Sequence, residues 1–76
     1  MNAESKRIEQ IARAQIRAKD TDLLICAIEN LDKMPRSEDT ILTRVWIIEE
    51  LEIRQPTACH RWLDSNIDSP RSFFRH

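Results

Sequence analysis

No glycine occurs anywhere among the 76 residues, and no other feature of the chain narrows its fold so far. Two-residue β-hairpin turns need positive φ angles, which glycine supplies at no steric cost. Phosphate-cradling loops and dinucleotide fingerprints are likewise built on spaced glycines. Strand signals, β-branched alternation bounded by Gly or Asn turns, are missing too. Charged residues make up 33% of the chain and are mixed with Ala, Ile and Leu, a helix-forming composition. The expected class is all-α.

Local signals divide the chain into a small bundle of three main helices, a short fourth helix and a C-terminal tail. Residues 4–19 read as the first helix, with Glu9 four residues before Arg13 as a supporting ion pair. Asp20, Thr21 and Asp22 can each accept from free N–H groups at a helix start, so a second helix is expected over 21–33. Pro35 removes a backbone donor and restricts Met34, which stops it. Ser37, followed by Glu38 and Asp39, suits the N-cap of a third helix running to Arg54. Gln55–Pro56 ends that helix, and the short fourth holds Ala58, Cys59, Trp62 and Leu63. Residues 1–68 form a single helical domain in this reading. Residues 69–76 are a tail that either starts one last turn at Ser69–Pro70 or stays loose.

A chain of this length is one domain at most and buries only about 60% of its unfolded surface. The longest apolar run, "LLICAI", is six residues, far short of the roughly 20 a membrane-spanning helix needs, so no segment spans a membrane. "MNAESKRIEQIARAQIRAKD" has no secretory h-region. A cytoplasmic location with Cys26 and Cys59 as free thiols is therefore expected.

Charge is unevenly placed. Residues 1–19 carry five basic groups against two acidic, residues 20–53 three against nine, and residues 54–76 four against two. Basic ends folding back to neutralise the acidic middle is the first expectation. A basic surface for an acidic partner is the second.

Periodicity at about 100° per residue predicts a core of Leu24, Ile28, Leu31, Ile41, Val45 and Ile48, with Ile8 and Ile11 laid over it. On the second helix the stripe is Leu23, Leu24, Ala27, Ile28 and Leu31. The third helix is apolar over most of its circumference: Leu42, Trp46 and Ile53 form a group about 100–140° from Ile41, Ile47 stands alone, and Thr43, Glu50 and Arg54 keep a polar strip.

The stretch "RVWIIEELEIRQPTACHRW" concentrates the reactive groups without assembling a centre. Cys59 and His60 are adjacent, so on a helix they point about 100° apart and one zinc ion can hardly take both. Cys26 and His76 supply no matching pair, and helical neighbours cannot act as nucleophile and base. Glu49, Glu50 and Glu52 lack the Glu-x-x-His pattern of helical di-metal sites and read as a solvated acidic face. No metal, cofactor or small-molecule substrate is expected.

The reading that remains is a non-catalytic protein–protein interaction or regulatory module. Its contact residues would be Leu42, Trp46, Ile53, Trp62, Phe73 and Phe74, since aromatic patches mark interfaces. Its partner would be another protein or a second copy in a homodimer. The alternative is weak binding of DNA or RNA through Lys6, Arg13 and Arg17 on the basic side of the first helix. A helix-turn-helix reading is disfavoured, because the third helix ends in three glutamates that phosphates would repel.

Overall fold

A computed structural model describes residues 3–75. Four helices follow in order: α1 (Ala3–Ala18), α2 (Thr21–Lys33), α3 (Glu38–Arg54) and α4 (Pro56–Asp64). No strand occurs among the described residues. The all-α architecture of three main helices and a short fourth is therefore as the sequence predicts.

The boundaries have local causes. Asp20 caps α2 by accepting from the Leu23 N–H at 2.8 Å. Ser37 and Thr40 form a reciprocal capping box at the start of α3, which satisfies two of the donors a helix start leaves open. At the other end, α2 and α3 close without a left-handed glycine cap. Met34 and Gln55 both precede a proline, which disfavours the helical region for them. Both leave helical geometry, and their N–H groups bond back to the Leu31 and Leu51 carbonyls.

α3 is the element on which the other three helices pack. Two contacts fix the direction of α1 on it: Arg13 Nη1 lies 2.7 Å from Glu49, and Arg54 Nη2 reaches the carbonyls of Ile16, Arg17 and Lys19 at 3.4, 3.1 and 2.7 Å. Sequence numbers rise together along both helices, so α1 and α3 run parallel. Arg54 thereby satisfies carbonyls that the end of α1 leaves without intrahelical partners and sets a cation at its negative end. Its Nε is held by Glu50 at 2.8 Å. Arg54→Ala is expected to lower stability by about 1–3 kcal/mol, and Arg54→Lys to recover only part of it, because an ammonium cannot fork across several carbonyls. Urea melts of both variants measure this; an Arg54→Ala midpoint equal to the parent's would mean that the contact carries no weight.

The buried core comprises Ile16, Leu24, Ile25, Ile28, Ile47, Leu51, Cys59, Trp62 and Phe74. Leu24 and Ile28 are where periodicity puts them, with Leu31 and Ile48 packed alongside. Ile41 and Val45, expected inside, are 49% and 43% exposed, and Ile8, Ile11 and Leu23 are exposed as well. Ile47, expected to stand alone, lies at the centre. The reason is the arginines. The face of α3 turned to the core carries Arg44, Ile47, Leu51 and Arg54, at the i, i+3, i+7, i+10 spacing of one helix side. Arg44 lies over the Trp62 ring at 5.6 Å and pairs with Asp32 at 3.1 Å, and Arg54 runs under α1. Their stems occupy positions that a hydropathy pattern scores as surface. Of the strip of Thr43, Glu50 and Arg54, the last two meet α1, Arg54 at its terminal carbonyls and Glu50 beside Arg13 and Arg17.

The segment after α4 packs back on the bundle. Pro70 and Phe74 are buried, with Phe74 edge-on to Trp62 at 6.5 Å between ring centroids. The Trp62 indole N–H donates to the Ile67 carbonyl at 3.0 Å, and Gln55 exchanges two hydrogen bonds with the Arg75 backbone. Arg71 grips Glu29 through Nε and Nη2 at 3.1 and 2.8 Å, Asp22 through Nη1 at 2.9 Å, and Cys26 Sγ at 3.2 Å. The Ser69 hydroxyl donates to Glu29 at 2.6 Å. Residues 69–75 are therefore docked, and of the two expectations for this segment the turn from Ser69–Pro70 is the one seen, with the Phe73 N–H bonded to the Pro70 carbonyl at 2.9 Å. The basic ends do fold back onto the acidic middle, through Arg13–Glu49 at one end and Arg71–Asp22 and Arg71–Glu29 at the other.

Hydrogen bonds from Arg71, then from Ser69, hold the Glu29 carboxyl down to about 2 against an ordinary value near 4.5. A depressed carboxylate contributes stability that is fully present above its unfolded value and is lost as pH falls through its folded value. Acid should therefore loosen the tail between about pH 4.5 and 2. Glu29→Gln, which cannot ionise, should melt lower at neutral pH and show a flatter decline across that window. Parallel pH–melting curves for parent and variant would contradict the assignment.

Candidate interaction surface

On α3, Leu42, Trp46, Glu49 and Ile53 recur at i, i+4, i+7 and i+11, on the side roughly opposite Ile47 and Leu51. Ile53 is 77% exposed and Leu42 42%. With Ile41 and Val45 on the adjoining flank, α3 presents a run of apolar side chains to solvent along most of its length. Large contiguous apolar faces are enriched at interaction sites.

Trp46 is half-buried because Arg13 from α1 lies over its ring, 5.9 Å from the centroid. The same guanidinium is 2.7 Å from Glu49 and 3.0 Å from Glu9. Hydrogen bonding to Glu49, more than any other influence, raises its pKa. Along the α1–α3 seam, Arg13, Ile16, Arg17, Trp46, Glu50 and Ile53 line a shallow cleft of about 260 Å³. That is below the usual range of about 300–1,000 Å³ for small-ligand pockets, and its apolar wall opens onto the Ile53 side.

The six expected contact residues thus separate. Leu42, Trp46 and Ile53 stay together on the outer side of α3. Trp62 and Phe74 are core residues of this chain, a correction whose cause is the docked tail. Phe73 lines a different cleft, with Gln55, Arg61 and Arg75. Of the basic stripe, Lys6 and Arg17 are exposed, while Arg13 is engaged by two carboxylates and a tryptophan. Sequence reasoning missed Ile41 and Val45 as surface residues. It also missed Arg13 as the α1–α3 link, although the Arg13–Glu49 charge pair was visible as a basic end against an acidic middle.

The reactive groups disperse. Cys59 is fully buried, its Sγ 3.9 Å from the Ile48 carbonyl, and burial pushes its thiol pKa up, which disfavours the nucleophilic thiolate. His60 is exposed and pairs with Glu52 at 3.2 Å. Glu49, Glu50 and Glu52 turn to three different partners, Arg13, Arg54 and His60. Among the described residues no three His, Cys, Asp or Glu side chains gather as a metal site would require. His76, weighed as a partner for Cys59, lies outside the described residues. No helix among the described residues is long and apolar enough to cross a membrane. Comparison with models of known families, with curated proteins and with solved structures returns no match to this chain.

Proposed function

We propose that this chain is a non-catalytic protein-interaction module, acting in the cytoplasm, and that its contact surface is the outer side of α3 with Leu42, Trp46 and Ile53 at its centre. The observation that carries this reading is the exposure of Ile53 and Leu42 on a helix whose opposite side already fills the core. Covering that face removes apolar area from water, at about 25 cal/mol per Å². Nucleic-acid binding through Lys6, Arg13 and Arg17 is the weaker reading. Glu9 and Glu49 stand within ion-pair distance of the middle member of that stripe, and carboxylates there oppose phosphate.

A photo-reactive benzoylphenylalanine in place of Leu42, and separately in place of Asn30 on exposed α2 surface, tests the proposal in the native host. Protein adducts at position 42 and none at position 30 are expected. Absence of any protein adduct at 42, together with binding of duplex DNA or single-stranded RNA that falls steeply with salt and is lost in Lys6→Glu and Arg17→Glu, would replace it with the nucleic-acid reading.

A further inference from the structure

We infer that the occupant of this face is a second copy of the same chain, related by a twofold axis running along α1 and α3. The inference rests on the reading of the outer side of α3 as a protein-binding surface and adds the partner and its orientation. Its starting point is that α1 and α3 run parallel and carry opposite charge on the side turned away from the core. On α1, Lys6, Arg13 and Arg17 share one stripe; on α3, Glu38 and Glu49 flank the apolar row, with Glu52 on the same edge. The two stripes are in step. Arg13 lies level with Glu49, and the Arg17 carbonyl lies level with Arg54.

A twofold axis along the helices carries α1 of one copy over the acidic edge of α3 of the other, in the same direction and at the same height. Arg17 then meets Glu52 of the second copy, Arg13 meets its Glu49, and Lys6 falls a little over one turn from its Glu38. In the same arrangement the apolar rows meet in register: Leu42 against Leu42, Trp46 against Trp46, Ile53 against Ile53. With Glu49 between Trp46 and Ile53, these positions stand at the alternating three- and four-residue spacing of a helix–helix seam. The central Glu49 carboxylates of the two copies would repel, but each already has Arg13 beside it, so the two pairs close into a ring of alternating charge.

Size favours inclusion of α1. The outer side of α3 alone offers a strip about 25 Å by 10 Å, well short of the roughly 800 Å² per partner of a standard interface. Two helices side by side approach it. The isologous closure leaves no repeating open end. An antiparallel pairing, with the axis across the helices, would set the basic α1 stripes against each other and forfeit the charge match.

Sedimentation equilibrium and cysteine crosslinking test this with the full chain. The parent should sediment at twice the 9.0 kDa chain mass. Ile53→Glu, a change at an exposed position that leaves the helical spectrum intact, should weaken the dimer about thirtyfold, the loss of one interface hot spot of about 2 kcal/mol. Arg17→Glu should weaken it about fivefold, and Glu52→Arg added to it should restore the loss. In a Cys26→Ser background, Leu42→Cys should form a Leu42-site dimer disulfide with itself under mild oxidant. A Leu42→Cys chain mixed with an Ile53→Cys chain should give no mixed product. A monomeric parent at all concentrations overturns self-pairing, and photo-adducts to other proteins at position 42 would then leave the face itself standing. A dimer that ignores Ile53→Glu overturns the assigned surface. Mixed 42–53 disulfides, or no rescue of Arg17→Glu by Glu52→Arg, overturn the parallel arrangement.

Discussion

Ile28→Ala and Leu51→Ala each leave the chain largely unfolded at moderate temperature. Both side chains are completely buried, one from each of the two helices that form the centre of the bundle. Truncating a buried Leu or Ile costs about 2–5 kcal/mol, the lost transfer energy plus the cavity left behind. At roughly 0.05–0.15 kcal/mol per residue, a domain of this size holds only about 4–11 kcal/mol in total. One truncation therefore removes a large share of the whole margin. Ile41→Ala and Val45→Ala delete similar side chains from the same helix but at exposed positions, and should cost less than about 1 kcal/mol. Circular dichroism melts of the four variants make the comparison. If Ile41→Ala proves as damaging as Leu51→Ala, the core lies on the other side of α3.

Removing residues 69–76, or making the single change Phe74→Ala, should be nearly as costly. Phe→Ala in a core usually costs about 3–5 kcal/mol. Here the ring closes one side of Trp62 at 6.5 Å, and deletion of the segment also takes away Pro70 and the Arg71 contacts to α2. The expected product keeps far-ultraviolet helical signal, loses the near-ultraviolet signal of its tryptophans and binds a hydrophobic dye, the behaviour of a loosely packed helical state. A truncated chain with the parent's melting temperature and near-ultraviolet spectrum would mean that the segment merely rests on a bundle complete without it.

These two results draw a line between what the sequence made legible and what it did not. Helix positions were legible because their causes are local: a proline constrains the residue before it, and Asp20 and Ser37 cap helices within three positions of themselves. The side of α3 that faces the core was not, because Arg44 and Arg54 share it. Their stems and guanidiniums are accommodated by Trp62, Asp32 and the end of α1, partners that lie 12 or more positions away in the chain. The grouping of Leu42, Trp46 and Ile53 could be read from periodicity alone, although the side it stands opposite was misassigned. The docking of the tail was illegible for the same reason as the arginines. Nothing near Arg71 announces Asp22 or Glu29, and nothing near Phe74 announces Trp62. Ile25 was missed with them: it lies on the flank of α2 between those two carboxylates, at i+3 from Asp22 and four before Glu29.

The grip of Arg71 on Asp22 joins positions 49 apart, whereas α2, α3 and α4 meet their sequence neighbours across connections of a few residues. Helical pairs with such local contacts assemble early and fast, while a contact that must close so long a loop gains nothing until most of the chain is already ordered. The closing segment is then made on the downhill side of the folding barrier. Interactions formed there barely change the rate of folding and act almost wholly on the rate of unfolding. Arg71 and Ser69 are thus expected to govern the lifetime of the native state: how often it opens, and how long a protease must wait for it to do so.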